Sequence, residues 1–250
     1  MDFEKRLQDA VQRYWDGRNR NLAKQKESGI IDAGTRGAVT AGTQMGALEV
    51  LIVDVLCEAG LQKLDVKTRT GLELPGYFRP EKKWDLIVVS EGQLVLAMEF
   101  KSMVGSFGKN LNNRSEEALG SATCLWTAYR EGRFGAAPTP FLGYFFLLED
   151  HAEVHEPKGY SEPYFAVDPV FKTGEGKGRR SASGVSYSKR FEILCRRLVL
   201  ERLYSATCLV LATNESPTRI TQPADDLSFG RFVAGLRGHV MTFLETRKSG

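Results

Sequence analysis

The stretch Trp84-Asp85-Leu86-Ile87-Val88-Val89-Ser90, then Glu91-Gly92, then Leu94-Val95-Leu96-Ala97-Met98-Glu99-Phe100-Lys101, decides the fold. Two apolar, β-type runs around a glycine turn predict a hairpin. Side chains alternate along a strand, so Leu94, Leu96, Met98 and Phe100 are expected on one face and Val95, Ala97, Glu99 and Lys101 on the other. A carboxylate and an ammonium then share a face. Alone, that pair fits a strand leaving the core, where charges meet solvent. Asp85 changes the weighing, because it opens the partner strand with an apolar run behind it. A two-residue Glu91-Gly92 loop would pair Asp85 with Met98 and send its carboxylate to the wrong face. A three-residue Ser90-Glu91-Gly92 loop pairs it with Ala97. The three-residue form, with Gly92 left-handed, is therefore expected, and it sets Asp85 diagonal to Glu99 at roughly 7 Å or less between β-carbons. Two carboxylates so placed can hold one divalent metal, and the small Ala97 leaves room for it.

Outward from the hairpin, Phe3, Leu7, Val11, Tyr14 and Trp15 form one apolar stripe in a helix over 1–26, with Trp15 a packing residue. Ser28 to Thr43 is a glycine-rich connector. Met45, Leu48, Ile52, Val55, Leu56 and Ala59 predict a helix ending at Gly60, with Glu49 at the edge of its apolar face. Residues 61–74 read as a strand and Pro75-Gly76 as a turn. Beyond the hairpin, a helix is expected over Ser115 to Arg130, with Asn113 and Glu116 spaced like a capping box. The continuous apolar run Phe141 to Leu148 reads as a buried strand. Residues 150–188 read as irregular, followed by a helix over Ser188 to Tyr204, a strand over Ala206 to Ala212 and a closing helix over Ser228 to Glu245.

The chain has 250 residues, 42% hydrophobic and 26% charged, with 34 Lys+Arg against 31 Asp+Glu. This excludes a disordered polybasic chain and suits a soluble globular protein. The +3 net charge conceals a grouping: Lys172, Lys177, Arg179, Arg180, Lys189 and Arg190 stand against Glu175 alone. Such a run is usually a solvated face. Cys57, Cys124, Cys195 and Cys208 have no C-x-x-C spacing and read as reduced core residues of a cytosolic, cytoplasmic protein. The charged start and the short apolar runs imply neither export nor membrane insertion. His151 and His155 lack a third ligand and have Pro157 close behind, so no zinc site is read there. Gly174, Gly176 and Gly178 lack the Lys-Ser/Thr ending of a phosphate-binding loop and read as a flexible loop.

Asp85 followed on the next strand by Glu99-x-Lys101 resembles the pattern of the PD-(D/E)xK nuclease superfamily, although Pro80 is not adjacent to the aspartate. The expected order αβββαβ matches that superfamily's core. Pro75-Gly-Tyr-Phe-Arg-Pro80, Lys83-Trp-Asp85, Glu99-Phe-Lys-Ser102, Val104-Gly-Ser-Phe-Gly108, Asn112-Asn-Arg-Ser-Glu-Glu-Ala-Leu-Gly120 and Ser186-Tyr-Ser-Lys-Arg-Phe-Glu-Ile-Leu-Cys-Arg-Arg197 resemble the XhoI-type Type II restriction endonucleases. The likeness runs from about Tyr14 to the C-terminal helix. One departure is Gly46, where the family pattern has an aspartate. Glu49 is the nearest acid and a candidate third metal-site carboxylate, with a structural role preferred.

The resemblance implies an α/β fold with a PD-(D/E)xK restriction-endonuclease-like core, a mixed central sheet flanked by helices, with extra helices and loops for DNA binding and dimerisation. It implies a single such domain: an N-terminal helical arm and connector over 1–43, a catalytic core over 44–150, and a DNA-reading loop with C-terminal helices over 151–250. The implied activity is Mg²⁺-dependent cutting of double-stranded DNA at a palindrome, CTCGAG being typical of the family, by a homodimer with a cognate DNA methyltransferase as genetic partner. Asp85 and Glu99 would hold Mg²⁺ and Lys101 would serve the attacking water or the scissile phosphate. Asn110, Asn112, Asn113 and Arg114, in a polar stretch after the catalytic strand, and Tyr187, Lys189 and Arg190 would contact DNA. A repair or recombination nuclease of the same superfamily, and a DNA-binding protein with a vestigial motif, are the alternatives.

Overall fold

The computed structural model describes residues 2–27, 45–135, 137–160, 162, 164–174 and 184–248. The glycine-rich connector, Glu175, Gly176, Lys177, Gly178, Arg179 and Arg180 lie outside the described residues. The helices are α1 (Phe3–Glu27), α2 (Gly46–Glu58), α3 (Phe107–Arg130), the single turn α4 (Ala152–His155), α5 (Tyr187–Leu200) and α6 (Phe229–Lys248). The strands are β1 (Val66–Lys67), β2 (Glu73–Pro75), β3 (Glu81–Lys83), β4 (Leu86–Ser90), β5 (Gln93–Met103), β6 (Phe141–Glu149), β7 (Lys158–Gly159), β8 (Gly184–Val185), β9 (Ala206–Ala212) and β10 (Ile220–Thr221).

Six strands form one mixed sheet in the order β1-β4-β5-β6-β9-β10. β1, β4 and β5 pair antiparallel, β5, β6 and β9 pair parallel, and β10 returns antiparallel. One face packs on α1, α2 and α6 through Leu7, Trp15, Leu48, Ile52, Phe232 and Leu236. The other packs on α3 and α5 through Leu111, Ala118, Ala122, Phe191 and Leu198. Helices on both faces explain why β6 is apolar without alternation: Phe145 and Leu147 enter one core, Tyr144 and Phe146 the other. This is the mixed α/β, restriction-endonuclease-like arrangement that the sequence implies.

Several expectations are corrected. Residues 61–74 do not make one strand. Only Val66–Lys67 joins the main sheet, and Gly71, at φ 66°, turns the chain into the separate β2–β3 hairpin. The helix expected from Ser115 begins eight residues earlier, at Phe107. Phe107 and Leu111 are four apart and buried, so they extend the Ala118, Ala122 and Leu125 stripe upstream. Asn113 therefore caps nothing, and the helix starts from Ser106 in a left-handed conformation.

The decisive hairpin also differs in register. Its loop has two residues, Glu91 and Gly92, both at positive φ (49° and 78°), which is the type I′ geometry matching strand twist. Without interruption this loop would place Asp85 opposite Met98. Instead Val89 pairs with Leu94 and Val88 with Leu96, so Val95 is an extra, bulged residue. Leu86 then pairs with Met98, and the ladder continues towards Asp85 opposite Glu99. The bulge also moves Val95 to the α1/α2/α6 face and Leu94 to the face of Ala97, the reverse of the alternation read from sequence.

Candidate active site

The hairpin register brings Asp85, Glu99 and Lys101 together. Glu99 is 3% exposed, an acid that survives burial only with partners. It has two cations: Lys101 Nζ lies 2.6 Å and Lys82 Nζ 3.4 Å from the same Oε1 atom. Tyr204 donates its hydroxyl hydrogen bond to Ala118 O at 3.2 Å and approaches Glu99 Oε2 at 3.5 Å. Burial raises the Glu99 carboxyl, but Lys101 and Lys82 together outweigh it and hold Glu99 below its ordinary value, hence ionised. Asp85 is pushed the other way, first by burial and also by the charge of Glu99, against Lys101, Lys82 and the Phe100 N–H that donates to its Oδ2 at 2.7 Å.

Lys82 is the residue that sequence reading missed. It lies on β3, 13% exposed, with its ammonium 4.0 Å from the centre of the Trp84 ring. Burial holds Lys82 below its ordinary value, with Lys101 adding to the effect and Glu99 opposing it. The signal was present in Glu81-Lys82-Lys83-Trp84. It is hidden because 61–74 reads as one strand ended by a turn at Pro75-Gly76, and the short β3 that folds Lys82 back over the sheet leaves no pattern of its own.

Glu49 also belongs to this neighbourhood. Its carboxyl is pushed up to about 7, first by burial and then by the charge of Asp85, with Arg69 offsetting. A carboxyl raised on folding binds its proton more tightly in the folded state. Its contribution to stability is therefore present below the ordinary 4.5 and is lost as pH rises through about 7. In urea unfolding with chelator present, Glu49→Gln is expected to match the parent near pH 4 and to exceed it by about 1 kcal/mol at pH 8, after solvent screening. A difference independent of pH would show that the Glu49 carboxyl is not raised on folding. The departure at Gly46 has no steric cause, since a β-carbon there meets nothing within 4 Å.

Among the described residues no three His, Cys, Asp or Glu side chains converge as a metal cage. Two carboxylates nonetheless suit a hard cation such as Mg²⁺, which keeps most of its waters and takes one or two protein oxygens. Burial is the first cause of the raised Asp85 carboxyl, and a cation held between the two carboxylates would favour its ionised form. The histidines have other partners: His155 Nε2 meets Asp150 Oδ1 at 2.6 Å, and His151 caps the turn at Glu153 N. A cleft of about 400 Å³ lined by Leu119, Phe171, Ile193 and Leu194 includes none of Asp85, Glu99 and Lys101.

The residues expected to meet DNA divide into two sets. Asn110, Asn112, Asn113 and Arg114 stand on the first turns of α3 and not in a loop; Arg114 pairs with Glu117 at 2.7 Å. Tyr187, Lys189 and Arg190 open α5, whose N-cap Ser186 accepts from Lys189 N. Lys189 pairs with Glu192 at 3.1 Å, while Arg190 donates to Asn112 Oδ1 at 2.7 Å and to the Tyr160 hydroxyl. Tyr187 packs against Phe107. The two helix starts thus form one polar surface joined by Asn112 and Arg190.

Comparison with known proteins adds three relatives and a family. A family model described as restriction endonuclease XhoI matches residues 24–222. The Type II restriction enzyme BstVI of Geobacillus stearothermophilus is 42% identical over 225 residues, covering 87% of this chain and 96% of the relative. AbrI of Azospirillum brasilense is 44% identical over 191 residues, covering 75% and 86%. XhoI of Xanthomonas vasicola is 39% identical over 203 residues, covering 80% and 77%. No solved structure matches the chain.

Proposed function

Because the chain belongs to the XhoI restriction endonuclease family, whose named relatives are type II site-specific deoxyribonucleases, we propose that it makes Mg²⁺-dependent double-strand cuts at a palindrome. The family-typical CTCGAG is the site proposed, with a 5′ overhang and products bearing 5′-phosphate and 3′-hydroxyl ends. The single observation that carries this reading is a buried Glu99 shared by two lysines with Asp85 alongside it, joined on one face by a bulged hairpin.

Asp85 and Glu99 would hold the divalent cation, which supplies Lewis-acid stabilisation of charge on the phosphate and on the leaving 3′ oxygen. The Phe100 N–H fixes one Asp85 oxygen, so the carboxylate is oriented before substrate arrives. Lys101 orients the attacking water by donating to it and offsets charge at the phosphate. Lys82, which meets the same Glu99 oxygen as Lys101, shares that carboxylate and steadies the same anionic substrate group. Asn110, Asn112, Asn113, Arg114, Tyr187, Lys189 and Arg190 are the proposed DNA surface, where exposed pairs such as Arg114–Glu117 exchange a carboxylate for phosphate at little cost. A homodimer matches a palindrome by symmetry, each copy cutting one strand. A cognate methyltransferase is the proposed genetic partner. Among the described residues no helix is long and apolar enough to cross a membrane, and a cytoplasmic location is part of the reading.

Digestion of a plasmid of known sequence with Mg²⁺, followed by sequencing of the ends, is expected to give discrete fragments ending within CTCGAG. Progressive degradation, or no cutting at any divalent metal, would overturn the assignment.

A further inference from the structure

Tyr77 and Phe78 sit at the tip of the β2–β3 hairpin, 50% and 70% exposed, with their rings edge to face at 4.9 Å. The loop that presents them is built, not slack. Tyr77 N donates to Cys124 Sγ at 3.2 Å, and Gly76 N donates to Pro80 O at 3.2 Å. A β-carbon on Gly76 would lie 2.6 Å from Arg79 O and 2.9 Å from the Cys124 sulfur, so only glycine lets the loop seat this closely on α3. Burial raises the Cys124 thiol, but the Phe78 and Tyr77 N–H groups and Arg79 outweigh it and hold the thiol below its ordinary value. Two large apolar rings fixed in water by such a loop call for a partner.

The other end of the same hairpin is in the active site, through Lys82 and Glu99. Lys82 is four residue steps from Phe78. At about 3.3 Å per step the Phe78 backbone lies within about 13 Å of the Lys82 backbone, or about four base pairs at ~3.4 Å per step. The strip from Arg69 to Lys83 carries Arg69, Arg79, Lys82 and Lys83 against Glu73 and Glu81, a positive excess of the sign that attracts a polyanion.

We propose that this hairpin tip is a DNA-contacting element, in which Tyr77 and Phe78 pack against bases within a few steps of the cut phosphate while Arg79 meets the backbone. The proposal rests on the nuclease reading above. Aromatic faces take any base, so the tip contributes affinity and distortion of a base step more than hydrogen-bond readout.

The test begins with the parent enzyme, whose cut site is mapped on plasmid DNA. Duplexes carrying that site, with 2-aminopurine placed at successive positions, are then titrated with the parent, Phe78→Ala, Phe78→Trp and the Tyr77→Ala/Phe78→Ala double variant. Both rings are largely solvent-exposed, so the variants are expected to fold, as checked by their melting curves. The double variant is expected to bind roughly 5- to 100-fold more weakly and to lose the 2-aminopurine signal near the cut, while Phe78→Trp keeps both. If the parent cuts no DNA, the nuclease reading fails and the proposal with it. If the parent cuts and the double variant binds and cuts equally well, the hairpin proposal alone is overturned. It is also overturned if the double variant changes only the sedimentation of the free protein, which would make the rings a contact between copies of the chain.

Discussion

Glu99→Gln is expected to lower the cleavage rate by at least about 10³-fold, with the protein still folded and still binding duplex. The substitution keeps the volume of a side chain that is fully packed, so no cavity opens. It removes the one charge that Lys101 and Lys82 both neutralise, at 2.6 and 3.4 Å. Two ammonium groups then face the substrate without their anion. Affinity for duplex in chelator is therefore expected to hold or rise, while metal-dependent cutting disappears. Asp85→Asn should behave alike in cutting, since the Phe100 N–H to Oδ2 contact at 2.7 Å survives only if the amide turns its oxygen towards it. Single-turnover cleavage with binding measured in parallel checks both, and a Glu99→Gln protein cutting within tenfold of the parent would sink the assignment.

Lys101→Met is the second large effect, a loss of about 10²- to 10³-fold in single-turnover rate. Methionine keeps the apolar stem and deletes the donor. Lys82→Met, made in parallel, is expected to cost only about tenfold, because Lys82 lies over Trp84 and contacts Glu99 at the longer distance. Equal losses would mean that the two lysines share the role assigned to Lys101. A larger loss at Lys82 would reverse the assignment.

The buried strands and the acid–acid–lysine motif were legible because burial on two faces and alternation leave direct marks in sequence. The pairing of Asp85 with Glu99 was approached by a wrong route. Counting loop residues alone required a three-residue turn, whereas the chain uses a two-residue turn and restores the offset with a bulge at Val95. A bulge is a tertiary choice: Val95 and Leu96 are both apolar, and nothing in their order says which faces which core. The start of α3 was missed for a different reason. Asn113 with Glu116 looks like a cap, and the Phe107 and Leu111 spacing that outvotes it becomes meaningful only once the facing sheet is known. Lys82 required a second hairpin whose strands are three residues each, too short for periodicity to register.

The bulge has an owner far from the hairpin. His239, on α6, donates through Nε2 to the carbonyl of Val95 at 2.9 Å, and burial holds its imidazole below its ordinary value, favouring the neutral ring. The alternative pairing without a bulge would set Asp85 opposite Met98 and carry it away from Glu99. His239 therefore fastens the last helix to the residue that sets the register of Asp85 against Glu99. Loss of the His239 contact, with the buried Phe232, Leu236 and Val240 of the same helix kept, is expected to show itself as a population of folded but idle enzyme, in which the fault is one of alignment and not of unfolding.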